Sequence, residues 1–227
     1  MRLIASRGGP LALPAVGVAC IAVVHAFFVA TQRSIELAGG RTNVGALDFA
    51  EQIRLSFAIV WRIGILMFAT SCTVLAAGCG SLAPLFMLGL DGMAFDQLTD
   101  PGKFWSAAIA ALILLMIVDA ECNDGAVSLF RAAKALARRS LWIGSAMVAL
   151  GLVYIVLGWG QGYVRGAIWS FWQTSSSSQQ IKNLIYFVFI FSFATLRLWV
   201  TLLILTYGLK QSYIRGASAS GASSARP

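Results

Sequence analysis

The sequence predicts an all-α fold, a polytopic integral membrane helical bundle with about five transmembrane helices and short interfacial helices. Three observations carry that prediction. Of the 227 residues, 59% are hydrophobic and only 11% charged, with a mean hydropathy of +0.80, whereas an ordinary soluble domain carries about 25% charged residues. A bilayer core of roughly 30 Å needs about 20 apolar residues at about 1.5 Å of helix rise each. Five such runs lie at about 10–31, 56–78, 104–123, 141–160 and 183–208. The longest polar connections reach about 25 residues, too few to bury a core of their own. The chain therefore reads as one transmembrane domain over 1–215. The tail 216–227, a low-complexity run of Gly, Ala and Ser, is expected to be disordered.

The first run follows Arg2 and Arg7, the basic flank of a secretory signal. Its apolar part exceeds the usual signal length and no A-x-A site follows, so it is expected to be a retained helix. His25 on this run is the only histidine. A bis-histidine haem needs two and a catalytic zinc site usually three protein ligands, so His25 is expected to be a hydrogen-bonded packing residue.

The second run continues into a stretch, Leu55 to Leu90, whose only charge is Arg62. One straight helix of that length would reach about 54 Å, so the chain is expected to break at "GCGS", 78–81, with Ser81 as a cap and Pro84 in a first turn. The apolar piece that follows, about 82–90, is too short to cross and is expected to lie along the interface, with a re-entrant element as the alternative.

Behind the third run, "GAVSLFRAAKALARR" predicts an amphipathic interfacial helix at about 126–138. Arg131, Lys134 and Arg138 share one face, and Val127, Phe130, Ala133 and Ala137 turn elsewhere. With Arg139, these cations are expected to contact anionic lipid headgroups of the inner leaflet or a partner. Between the fourth and fifth runs, 161–182 reads as a connection, an aromatic interfacial half followed by a flexible Ser/Gln linker. The G-x-x-x-G of Gly162 and Gly166 is expected there as a turn.

Lys and Arg assign the sides. Ten (Arg33, Arg41, Arg54, Arg131, Lys134, Arg138, Arg139, Lys210, Arg215, Arg226) fall on one side and five (Arg2, Arg7, Lys103, Arg165, Lys182) on the other. The richer side is expected to be cytoplasmic, with the N-terminus outside and the C-terminus in, in a bacterial inner membrane.

Arg62 and Arg197 remain, inside apolar runs. A central arginine costs about 2.5 to 3.5 kcal/mol on insertion scales, so a partner or snorkelling is expected. Counting from the nearest charged ends places both in the inner half of the bilayer, at the depth of Asp119 and Glu121 on the third span. The expected pairs are Arg197 with Asp119, and Arg62 with Glu121 or Asp119. These four residues form the candidate ion-pair or solute site.

The net charge of +8 sits at the ends of hydrophobic runs, so bilayer orientation explains it and no nucleic-acid partner is expected. Cys20, Cys72, Cys79 and Cys122 form no C-x-x-C pair and read as small packing residues. No G-x-S-x-G or H-E-x-x-H occurs, and no catalytic residue, cofactor or metal is expected. The composition thus points to a non-enzymatic membrane-embedded subunit of a larger membrane complex, with the lipid bilayer and other membrane subunits as partners. The alternative is a small transporter or channel for an anion, proton or lipid, working through the four intramembrane charges.

Overall fold

The computed structural model describes residues 12–37, 48–79, 98–123, 125–138 and 140–224. The piece 82–90, Ser81 and Pro84 lie outside the described residues, as do Arg139 and the side chains of Glu121 and Cys122. All regular structure among the described residues is helical. It comprises α1 (Ala12–Leu37), α2 (Phe49–Ala76), α3 (Asp100–Cys122), α4 (Leu129–Arg138), a π-helical turn (Ser140–Gly144), α5 (Ser145–Thr174) and α6 (Gln179–Ser224). Four stretches are long and apolar enough to cross a bilayer, namely α2, Asp100–Ala120, Leu141–Thr174 and Gln179–Ser212, while α1 carries a shorter apolar stretch, Val18–Arg33. The protein is a helical membrane bundle.

Local chemistry sets the ends. Asp48 is extended and its side chain accepts from the Phe49 backbone N–H, which starts α2. Pro101 sits in the first turn of α3, where its missing N–H is no loss. At the other end of α3, Gly125 takes φ +82° and donates its N–H to Ala120 O at 2.9 Å, a left-handed closure that a side chain would strain.

Helix α3 is the axis of the bundle. Of its apolar window 78% is buried, against 17% for α2 and for α6. Ile109, Leu114, Leu115, Met116 and Ile117 are fully buried, and α1, α2, α5 and α6 all pack around them. Gly151 of α5 makes room for the Phe104 ring, whose Cδ1 lies 2.3 Å from where a glycine Cβ would stand.

Three expectations are corrected. The connection expected at 161–182 is helical except for Ser175 to Ser178, and the Gly162/Gly166 pair stands inside α5 rather than in a turn. Glycine costs only about 1 kcal/mol in a helix, and apolar neighbours in a membrane span offset that. Residues 216–224 continue α6 rather than forming the expected disordered tail. Finally, α4 buries Ala132, with Leu129, Ala135 and Leu136 packed against the core, whereas Phe130 is 79% exposed and Ala133 and Ala137 share that outward surface with Lys134 and Arg138. The buried stripe is set by what fits against α3, so Leu129, Ala132, Ala135 and Leu136 go inward and the bulky ring outward.

The α5–α6 hairpin outreaches the start of α3. Gly158 stands level with Lys103, in the first turn of α3. From there α5 runs 16 residues further to Thr174, about 24 Å beyond. The tip is fastened by Lys182, whose Nζ donates to Trp172 O and Ser175 O at 2.8 Å each and so closes the last turn of α5. The Trp172 and Tyr186 rings stack at 6.0 Å across the two helices.

Candidate functional site

The structure does not bring Arg62, Arg197 and Asp119 together. Arg197 Nη2 on α6 donates to Ser106 Oγ on α3 at 2.6 Å, and the guanidinium carbon lies 5.0 Å from the centroid of the Tyr154 ring on α5. Three spanning helices thus converge on one cation. The Thr201 hydroxyl donates to Arg197 O at 2.6 Å, one turn back along its own helix. Its single proton is thereby used, so at the 2.6 Å contact between Tyr154 and Thr201 the phenol is the donor. The result is a ring of short polar contacts among apolar helices, in which the arginine meets a hydroxyl and an aromatic face.

Asp119 is elsewhere. It lies 13 residues along α3 from Ser106, about 20 Å away at 1.5 Å per residue. There it pairs with Arg131, whose Nε donates to Oδ1 at 2.9 Å and Oδ2 at 3.1 Å, while Oδ2 also accepts from Ser128 N–H at 3.0 Å. The Asn123 amide reaches back to Asp119 Oδ1 at 3.0 Å. Asp119 is therefore the pin of the α3–α4 corner. The expected Arg197–Asp119 pair does not form, because α5 and α6 overhang α3 and Arg197 sits level with the start of α3.

Arg62 does not meet Asp119 either. Its Nη1 donates to Ala58 O at 2.9 Å, one turn towards the start of α2, the direction in which a long cationic side chain snorkels. Glu121 as its partner falls on a side chain outside the described residues. Of the basic residues expected at the inner leaflet, Arg131 is engaged by Asp119, Lys134 and Arg138 are exposed, and Arg139 lies outside the described residues.

Lys103 was placed by sequence at a loop edge, yet it is 4% exposed. Its Nζ bonds Asp100 Oδ1 at 3.1 Å, and its Cε lies 2.7 Å from where a Cβ on Gly158 would stand. Gln161, one turn further along α5, is fully buried. Ser106, Tyr154 and Thr201 had gone unassigned as partners. A legible signal existed in Thr201, which stands four residues after Arg197, the spacing of one helical turn.

His25 packs edge-on to Phe49 at 5.7 Å and stacks near Phe28 at 6.4 Å, an aromatic packing position, but its buried Nδ1 lacks the expected hydrogen bond among the described residues. Among the described residues no three His, Cys, Asp or Glu side chains come together as a metal group would require. Compared with protein-family models, curated proteins and solved structures, the chain matches none of them.

Proposed function

We propose that this chain is a non-enzymatic, membrane-embedded subunit of a larger membrane complex, and that the outer face of the α5–α6 hairpin is the edge on which a neighbouring subunit packs. The reading rests on one observation. Trp159, Tyr163, Gly166 and Ser170 share one face of α5, directed away from α6 and α3, on the part of the hairpin that runs beyond the start of α3. Trp159 is 71% and Tyr163 83% exposed, and a Cβ on Gly166 would meet nothing within 4 Å. In lipid, where apolar burial drives little association, helices join where small residues let backbones approach and larger side chains interlock beside them. A face of two aromatic knobs around an open glycine fits that description.

The setting proposed is a bacterial inner membrane, and the ten-to-five bias of Lys and Arg supports an N-terminus outside and a C-terminus in the cytoplasm. The alternative, a carrier for an anion, proton or lipid through Arg62, Arg197, Asp119 and Glu121, has less support, since Arg197 and Asp119 stand about 20 Å apart along α3.

Extraction in a mild detergent followed by mass measurement tests the reading. The protein is expected to run well above its 24.2 kDa chain mass with defined companion chains. Gly166→Leu should release them while helical content stays unchanged. A lone monomer that retains native lipid would overturn the proposal.

A further inference from the structure

We propose that the groove between the π-helical turn, α5 and α6 seats one anionic phospholipid, its acyl chain against the apolar end and its phosphate between Arg138 and Lys210. The groove measures about 760 Å³ and is graded along its length. Ala149 and Leu203 form one end, and Trp142, Ser145, Tyr207 and Gln211 the other. Its floor is closed because α5 and α6 touch there: a Cβ on Gly208 would stand 2.7 Å from the Ala146 Cβ.

The gradient matches the profile of a lipid. Ala149 lies seven residues from Trp142, about 10 Å of helix rise, so apolar walls give way to indole, phenol, hydroxyl and amide groups within two turns. Indole and phenol rings favour the headgroup level. Arg138 lies four residues before Trp142 in sequence and Lys210 directly before Gln211, both exposed and just beyond the groove's polar lining. Arg131 is excluded from this set by its bond to Asp119.

Two cations at the polar end call for an anion, and the apolar end calls for a hydrocarbon chain. A free phosphate has no use for the second feature and a neutral lipid none for the first, whereas an anionic phospholipid uses both. The groove opens to the bilayer, from which such a ligand arrives by lateral diffusion. This inference rests on membrane embedding and not on the subunit reading, so either can fail without the other.

The test takes the full chain reconstituted in nanodiscs of equal phosphatidylglycerol and phosphatidylcholine, releases it into mild detergent and counts retained lipids by native mass spectrometry. The expected result is one phosphatidylglycerol kept over phosphatidylcholine by roughly tenfold. Ala149→Phe, at an exposed position that fills the groove, and Lys210→Gln should each erase most of that preference, and Lys134→Gln should leave it intact. If Ala149→Phe does not fold by circular dichroism, Arg138→Gln and Lys210→Gln, both at exposed positions, decide the matter alone. Equal retention of the two lipids, no change in the groove variants, or cross-linking of another protein's helix in the groove would overturn the assignment.

Discussion

Arg197 and Ser106 lie 91 residues apart in sequence and 2.6 Å apart in space, joining α6 to α3 through a charged hydrogen bond inside the bundle. Tyr154 covers the guanidinium from α5 and is itself tied to Thr201. The cation is thus held by a hydroxyl and a π face on two neighbouring helices. Ser106→Ala is expected to lower stability by about 1 to 2 kcal/mol, since it removes an acceptor from a partly buried charge. Thermal unfolding in detergent reads the loss as a lower Tm. A double-mutant cycle between Arg197→Met and Asp119→Asn should be additive to within about 0.5 kcal/mol, as expected of residues that share no partner. Strong coupling there would restore the pair that the geometry denies.

Asp119 holds the α3–α4 corner through Arg131, Ser128 and Asn123. Asp119→Ala should loosen α4 and raise trypsin cleavage after Arg131 and Lys134 several-fold. Asp119→Asn, which keeps an acceptor for Ser128 N–H and loses the charge, should fall between. Because Arg131 is half-exposed, the ion pair itself is worth only about 1 kcal/mol, and the backbone bond carries the remainder of the effect.

The glycines of α5 divide by what surrounds them. Gly151→Ala would drive a methyl into the Phe104 ring and is expected to destabilise by about 1 to 3 kcal/mol. Gly160 faces open space, so Gly160→Ala should be neutral or stabilising by up to about 1 kcal/mol through helix propensity. Comparative unfolding of the two variants in one detergent checks the order.

Phe130 stands out from α4 beside Lys134 and Arg138, the arrangement of a helix lying on a bilayer surface with one ring in the acyl boundary. Phe130→Ser should leave the fold intact and increase hydrogen exchange across α4 in vesicles, while the same variant in detergent shows a smaller difference.

The bundle was legible because apolar length is a strong signal: four of the five runs fall on helices long and apolar enough to cross a bilayer, the described part of the first falls on α1 with its shorter apolar stretch, and the amphipathic stretch after the third forms α4. The polar contacts were not. Depth had been counted from the nearest charge on each helix, which assumes that neighbouring helices end level. Helices α5 and α6 instead overhang α3, so Arg197 slides from the level of Asp119 to that of Ser106. No single-helix count contains that offset, since it is set by packing, by Gly151 against Phe104 and Gly158 against Lys103. The turn expected at Gly162 and Gly166 fails for a related reason, because glycine spacing alone does not separate a turn from a position within a continuing helix.

The account stands or falls on what touches the outer face of α5. Site-specific photocross-linking in native membranes, with the photoreactive residue at Tyr163 and, as a control, at the exposed but lower Leu152, reads this directly. A protein adduct of fixed mass at position 163 and only lipid at 152 is the predicted result. Lipid adducts alone at both positions would contradict it.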